Sequence, residues 1–163
     1  MTIVQEIKGD LLDESLNFDY IIHQCNCLTT SGAGLASAVS NKYPWADPYV
    51  HRLKVNHTPD LAGMIKVFKD PKDKVKTKVV SFFSQYYPST AGKENDSKQL
   101  REDWFYICLI QLGRLMKTKN IKVAFPKYIG CDLAGGDWVH YNKMINNFAK
   151  ENPKVSVYIV SLK

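Results

Sequence analysis

Apolar positions along the chain recur with two different periods, and the period changes from one segment to the next. Ile3, Val4 and Ile7 stand among polar residues and predict a short strand over Thr2 to Ile7, closed by Lys8-Gly9-Asp10. Asp13 to Asn17 reads as a polar turn region, and Tyr20 to Cys25 is apolar enough for a central strand. Leu35, Ala36, Val39 and Tyr43 then follow helical spacing over Gly34 to Tyr43, and Pro44 ends that helix. Trp45 to Val55 predicts a second short helix, with Asn56 to Gly63 as its exit loop. Met64 to Phe68 and Val75 to Phe83 predict two strands joined by the turn Asp70-Pro71-Lys72-Asp73.

Tyr86 to Asn95 carries Pro88 and Gly92 with little periodicity, a loop long enough to be functional. Asp96 or Ser97 caps the longest helix, which runs to the neighbourhood of Lys117. Its expected apolar face is Leu100, Trp104, Ile107, Cys108, Leu112 and Leu115, widened by Phe105, Leu109 and Met116. Ile121 to Phe125 is another strand, stopped by Pro126. Asp137 caps a final helix that ends near Lys150, and Val155 to Val160 alternates as a last strand. Helices alternating with strands, without linker or internal repeat, predict one domain over residues 1–163. Its expected fold is a three-layer α/β/α sandwich with a mixed central sheet.

Composition narrows the class. With 163 residues, 45% of them hydrophobic and 23% charged, the chain is long and apolar enough for a sizeable core. No run is long and apolar enough to span a membrane, and no basic-then-apolar leader opens the sequence. The expectation is a cytoplasmic monomer with no membrane partner. Cys25, Cys27, Cys108 and Cys131 sit in apolar or tight contexts, as reduced thiols do. His23, Cys25 and Cys27 share one face of a strand, but no Cys-x-x-Cys pair or second ligand half accompanies them, so no metal site is expected. The formal charge of +6 comes largely from Lys66 to Lys78 and Lys117 to Lys122, which read as a solvated hairpin and a helix end. It suits an anionic ligand without requiring nucleic acid.

The candidate chemistry gathers at two glycine loops. Tyr20 to Cys27 runs into Ser31-Gly32-Ala33-Gly34-Leu35-Ala36, a strand feeding a glycine loop at a helix start. Backbone N–H groups point outward there, and the helix dipole favours negative charge. Ile129-Gly130-Cys131-Asp132-Leu133-Ala134-Gly135-Gly136-Asp137 has the same layout late in the chain. Ser37 stands where a dinucleotide fingerprint would have its third glycine, no acidic strand end follows, and no Gly-Lys-Ser/Thr is present. Both nucleotide motifs are therefore absent, and the two loops read as halves of one phosphate-binding site.

His23 and Asn26 flank the junction of central strand and first loop. His23 is either a satisfied structural histidine or a proton carrier, and Asn26 either fixes the loop or meets a sugar hydroxyl. Asp10 caps a turn in the plainest reading, and Asp137 caps a helix. Asp132 is the less easily explained acid. Tyr86 and Tyr87 either cover a base or sugar, or are strand-end aromatics.

These elements together resemble the macro domain, over nearly the whole chain. Lys8-Gly9-Asp10-Leu11 is similar to the family's early Gly-Asp element, and Ile22 to Cys27 with Gly32 to Ala36 to its distal-ribose strand and first phosphate loop. Tyr43-Pro44-x-Ala46 recurs in one branch, and Phe125-Pro126-x-x-Ile129-Gly130-Cys131 with Leu133 and Trp138 resembles the second phosphate loop. The resemblance implies ADP-ribose lying across the top of the sheet. Gly9, Asp10 and Leu11 would hold adenine. Ser31, Gly32, Ala33, Gly34 and Leu35, with Ile129, Gly130, Cys131, Asp132 and Leu133, would make up the two loops that hold the diphosphate through backbone amides. His23 and Asn26 would face the distal ribose, with His23, Asn26 and Asp132 as the implied catalytic set.

His23 to Cys27 is similar to the His-x-Cys-Asn-Cys motif of yeast-type ADP-ribose-1''-phosphate phosphatases. The terminal ADP-ribose glycohydrolase branch uses a lysine and an aspartate, where this chain has Gln85 and Ala134. The implied function is a metal-independent, cofactor-free hydrolase acting on ADP-ribose-1''-phosphate. The alternatives are removal of mono-ADP-ribose from protein or nucleic acid, and an ADP-ribose reader without turnover.

Overall fold

A computed structural model of the chain describes residues 4–50, 52, 60–118, 120–132 and 134–162. Six strands form one sheet: β1 Gln5–Lys8, β2 Tyr20–Gln24, β3 Ile65–Phe68, β4 Lys78–Phe82, β5 Ile121–Pro126 and β6 Val155–Ser161, in the order β1-β6-β5-β2-β4-β3. All neighbours pair in parallel except β3, which runs antiparallel to β4 at one edge. Helices α1 Leu35–Lys42, α2 Lys98–Leu115 and α3 Trp138–Glu151 complete the domain. The sheet is mixed and covered on both faces, as the α/β/α sandwich expected from the sequence requires.

Alternation along the strands distributes side chains to two cores. On one face Ile22, Val80, Phe82, Val123 and Phe125 pack against Phe105, Cys108, Leu109 and Leu112 of α2 and Tyr141, Ile145 and Phe148 of α3. On the other, Ile21, Val79, Ala124 and Val160 pack against Val39, Tyr43 and Ala46. Truncating one such buried side chain to alanine costs roughly 2–5 kcal/mol, by lost transfer energy and the cavity left behind. The parallel strands β2, β4, β5 and β6 end along one edge, where their loops gather.

Helix ends follow the local chemistry. Ser97 Oγ accepts from the Leu100 N–H at 3.1 Å, and Asp137 Oδ1 from the Val139 N–H at 3.0 Å, so both polar residues cap as expected. Two expectations need correction. The buried face of α2 is Arg101, Phe105, Cys108, Leu109 and Leu112, whereas Ile107 and Leu115 are 45% and 41% exposed. Apolar residues flank the stripe on both sides, so the pattern left its centre undetermined, and a buried arginine occupies one of its positions. The helix expected over Trp45 to Val55 is one 3-10 turn, Pro44–Ala46, within the described residues. Pro48 removes an N–H donor and holds Asp47 extended, at φ −88° and ψ 107°. Residues 51 and 53–59 lie outside the described part, as does the start of the first expected strand.

Candidate functional site

A cavity of about 260 Å³ opens at the carboxyl edge of the parallel strands. Gln24 and Asn26 form its floor with Gln85 and Tyr49. Ala33, Gly34, Leu35 and Ala36 line one side, and Ile129, Gly130, Cys131, Asp132 and Ala134 another. Pro88 and Ser89 from the loop after β4, with Pro126, Lys127 and Tyr128, complete the wall. The two glycine loops therefore share one cavity.

The first loop is shaped by side chains below it. Asn26 Oδ1 accepts from the Leu28 N–H and the Thr29 N–H, both at 2.9 Å, and from Thr29 Oγ1 at 3.1 Å. Its Nδ2 has no hydrogen-bond partner among the described residues. Thus Asn26 fixes the loop with one end of its amide and lines the cavity. Gly34 precedes α1 at φ 56° and ψ −127°, a conformation that L side chains rarely adopt. Below this loop Arg52, 5% exposed, donates to the Asn26 and Thr29 carbonyls at 2.8 Å each and to Asp60 Oδ2 at 2.7 Å and 3.1 Å. Its guanidinium lies 4.6 Å from the Tyr49 ring centroid, and the Tyr49 hydroxyl accepts from the Asn26 N–H at 3.2 Å.

The second loop is a tight ring closed by glycine. Gly136 N–H donates to the Gly130 carbonyl at 2.9 Å, and a Cβ at Gly136 would lie 2.4 Å from that oxygen. No side chain fits there. Asp132 is exposed at the cavity mouth, the one carboxylate among the described lining residues; Lys127 is the one cation. The Cys131 thiol is pushed up to about 12, chiefly by burial, so it stays protonated at neutral pH.

Neutral amides furnish the floor. Gln24 Nε2 donates to Gln85 Oε1 at 2.7 Å, Ser84 Oγ donates to Gln24 Oε1 at 2.6 Å, and Gln85 Nε2 donates to the Tyr87 carbonyl at 2.9 Å. This chain of hydrogen bonds holds both glutamines against the cavity.

The family resemblance implies that His23 faces the distal ribose. His23 is 2% exposed and does not line the cavity. Its Nε2 lies 3.0 Å from Ser81 Oγ on the neighbouring strand, and Cys25 Sγ is 3.7 Å from either ring nitrogen. Burial lowers its pKa from 6.5 to about 4, so the ring is neutral at physiological pH. Gly9, Asp10, Leu11, Ser31 and Gly32 also lie outside the cavity lining. Asp10 Oδ1 accepts from the Leu12 N–H at 2.9 Å, Leu11 is buried in the α1-side core, and Gly32 packs on Ala36 and Tyr49. Leu133 falls outside the described residues. Among the residues brought to the cavity, Gln24, Tyr49, Ser89, Lys127 and Tyr128 carried no signal in the motif reading. For Gln24 such a signal existed: it alternates with Ile22 and Asn26 along one face of the strand.

This is an α/β/α domain with a cavity between two glycine loops at the carboxyl edge of a mixed sheet, the edge where open α/β sheets place their ligands. Solved structures show which fold of this class it is. The macrodomain of Mycobacterium tuberculosis DarG superposes with a TM-score of 0.73 at 18% identity, covering 98% of this chain and 98% of that one. The macrodomain of Thermus aquaticus DarG gives 0.71 at 14% identity over 98% and 99%. An Oceanobacillus iheyensis macrodomain with ADP gives 0.64 at 16% identity over 97% and 82%. The chain has the macrodomain fold. No protein-family model matches it, and no curated protein matches it by sequence.

Proposed function

We propose that this chain binds ADP-ribose in the edge cavity and hydrolyses ADP-ribose-1''-phosphate. The observation that carries the reading is the cavity itself, shared by the α1 loop and the Gly130–Gly136 ring. Within the second loop the Ile129, Cys131, Gly135 and Gly136 N–H groups bond to neighbouring carbonyls, so a diphosphate would take the remaining amides of the two loops. The Oceanobacillus iheyensis macrodomain has been solved with ADP and, as a variant, with ADPR, which supports a ligand of this class. Adenine would lie toward Asp10, and the distal ribose over Gln24, Asn26 and Asp132.

Chemistry then falls to Asp132 and the amides. The Asp132 carboxylate accepts a proton from an attacking water, and the bond between phosphorus and the ribose 1'' oxygen breaks. That oxygen takes a proton from solvent, leaving inorganic phosphate and ADP-ribose. Backbone N–H groups and Asn26 Nδ2 stabilise the charge on the transferring phosphate. Asp132→Asn should lower phosphate release by about 100-fold or more, the usual worth of a positioned general base, while ADP-ribose affinity stays within a few-fold. Unchanged turnover in that variant removes Asp132 from the mechanism.

A second reading, binding without turnover, is favoured by the burial of His23 and by Gln85 and Ala134 at the cavity. Incubating the protein in parallel with ADP-ribose-1''-phosphate, a mono-ADP-ribosylated protein and ADP-ribosylated nucleic acid separates the cases. Phosphate release marks the phosphatase, free ADP-ribose from either conjugate marks the glycosyl hydrolase, and binding without any product marks the reader.

A further inference from the structure

We infer that Arg101 is a positioning residue that locks the second glycine loop to the wall beside it, so that the cavity is held in shape from within α2. Arg101 is 2% exposed and lies on the core face of that helix. A guanidinium has five N–H donors, and here five hydrogen bonds leave it. Nε and Nη2 donate to the two oxygens of Asp96 at 2.7 Å each. The remaining donors reach the Ser89 carbonyl at 2.8 Å, the Tyr87 carbonyl at 3.2 Å and the Ala134 carbonyl at 3.3 Å.

Ser89 and Ala134 line the cavity on two different loops, and Arg101 bonds both. Two further bonds stitch the same region: the Ala91 N–H donates to the Ala134 carbonyl at 3.3 Å, and the Tyr87 N–H to Asp96 Oδ2 at 2.8 Å. The Tyr87 carbonyl also receives Gln85 Nε2, which ties the amide floor into the network. A buried charge is tolerated only when its partners stay in place, so the loops and the arginine hold one another. Arg52 grips a single loop, through Asn26 and Thr29, whereas Arg101 joins two. Lysine cannot replace it. Three donors on one ammonium atom cannot span Asp96 and carbonyls on two loops.

The coupling of the loops is read without ligand, and its effect on affinity rests on the ADP-ribose proposal. The test compares wild type, Arg101→Lys and Leu112→Ala, the last a core variant on the same helix. In Arg101→Lys the Ala91 amide should exchange its hydrogen at least tenfold faster relative to the Phe125 amide. ADP-ribose affinity by calorimetry should fall at least tenfold. Leu112→Ala should leave both the Ala91 ratio and the affinity near wild type despite its lower melting temperature. Wild-type exchange at Ala91 in Arg101→Lys, or equal loosening in Leu112→Ala, overturns the inference. If wild type does not bind ADP-ribose, the ligand proposal falls while Ala91 exchange still decides the coupling. Should Arg101→Lys fail to fold, Asp96→Asn frees the same guanidinium and is judged by the same two readouts.

Discussion

Acid should weaken this fold through one ring. His23 has a pKa of about 4 in the folded protein, lowered from 6.5 by burial, with Ser81 Oγ at 3.0 Å from its Nε2. Above pH 6.5 the ring is neutral in both states and makes no pH-dependent contribution. As pH falls below 6.5, the unfolded chain takes up a proton that the folded chain refuses, and stability drops. The loss levels off below about pH 4, where the folded protein is protonated as well. A shift of that size is worth about 3 kcal/mol, and the steepest slope is about 1.4 kcal/mol per pH unit. This is a substantial share of the 5–15 kcal/mol that holds a typical domain together.

The perturbation is His23→Gln, which keeps a neutral amide of similar reach beside Ser81. Urea unfolding of wild type and variant at steps from pH 7.5 to pH 4 gives two stability curves. Their difference should shift by about 3 kcal/mol across the window, with wild type the one that loses. The carboxylates held below their usual range act at lower pH. Asp70, held down chiefly by the Lys72 N–H, contributes stability that is lost only as pH falls below its ordinary value of 3.8. Subtracting the variant removes the other titrating groups. Parallel curves, or an imidazole that titrates near 6.5 by NMR, would refute the placement of His23 in a dry interior. The proposed phosphate release and ADP-ribose binding should survive the substitution, since the ring does not line the cavity.

Gly136→Ala should lower the melting temperature by several degrees, because its Cβ would sit 2.4 Å from the Gly130 carbonyl oxygen and overpacking costs typically 1–3 kcal/mol. A thermal scan within one degree of wild type would show that the ring can open without loss. Arg52→Met should cost about 2 kcal/mol or more in urea denaturation, by freeing the buried Asn26 and Thr29 carbonyls and removing one of the cations on Asp60, which keeps Lys66 at 2.7 Å. Lys42→Ala, which breaks a partly exposed pair with Glu14, a contact to the Leu12 carbonyl and a contact 5.6 Å from the Tyr43 ring centroid, serves as the comparison and should cost less than half as much.

Much of the fold was legible because its signals are local. The Ile-rich run at Tyr20, the caps at Ser97 and Asp137, and Pro44 and Pro126 as stops act within a few residues of themselves. What escaped depends on partners distant in sequence. Arg101 reads as a polar interruption of an apolar helix until Asp96 and three loop carbonyls are brought to it. Gln85 was placed by family likeness alone, and its hydrogen bond to Gln24 spans 61 positions of sequence. Pro48 did carry a local signal, and it outweighed the apolar residues that suggested a helix after Trp45.

The burial of His23 has a simpler cause, and it bears on which side chains the proposed reaction could use. Successive residues of a strand point to opposite faces. Ile21 packs in the core under α1 and Ile22 in the core under α2 and α3, so the parity of β2 is set at its start. Continuing it sends His23 and Cys25 toward the α1 side, where Ser81, in register with His23 on β4, meets the ring. Gln24 and Asn26 follow Ile22 instead and emerge in the cavity where the strand ends. A motif of histidine, cysteine, asparagine and cysteine at 23, 25, 26 and 27 thus mixes two faces: its sulfurs and imidazole are buried in the interior, and its one asparagine, with Gln24, lines the cavity. In the proposed reaction the catalytic burden would lie with neutral amides and Asp132 rather than with His23. For the proposed substrate this is physically sufficient, since a phosphate needs oriented donors more than a buried base.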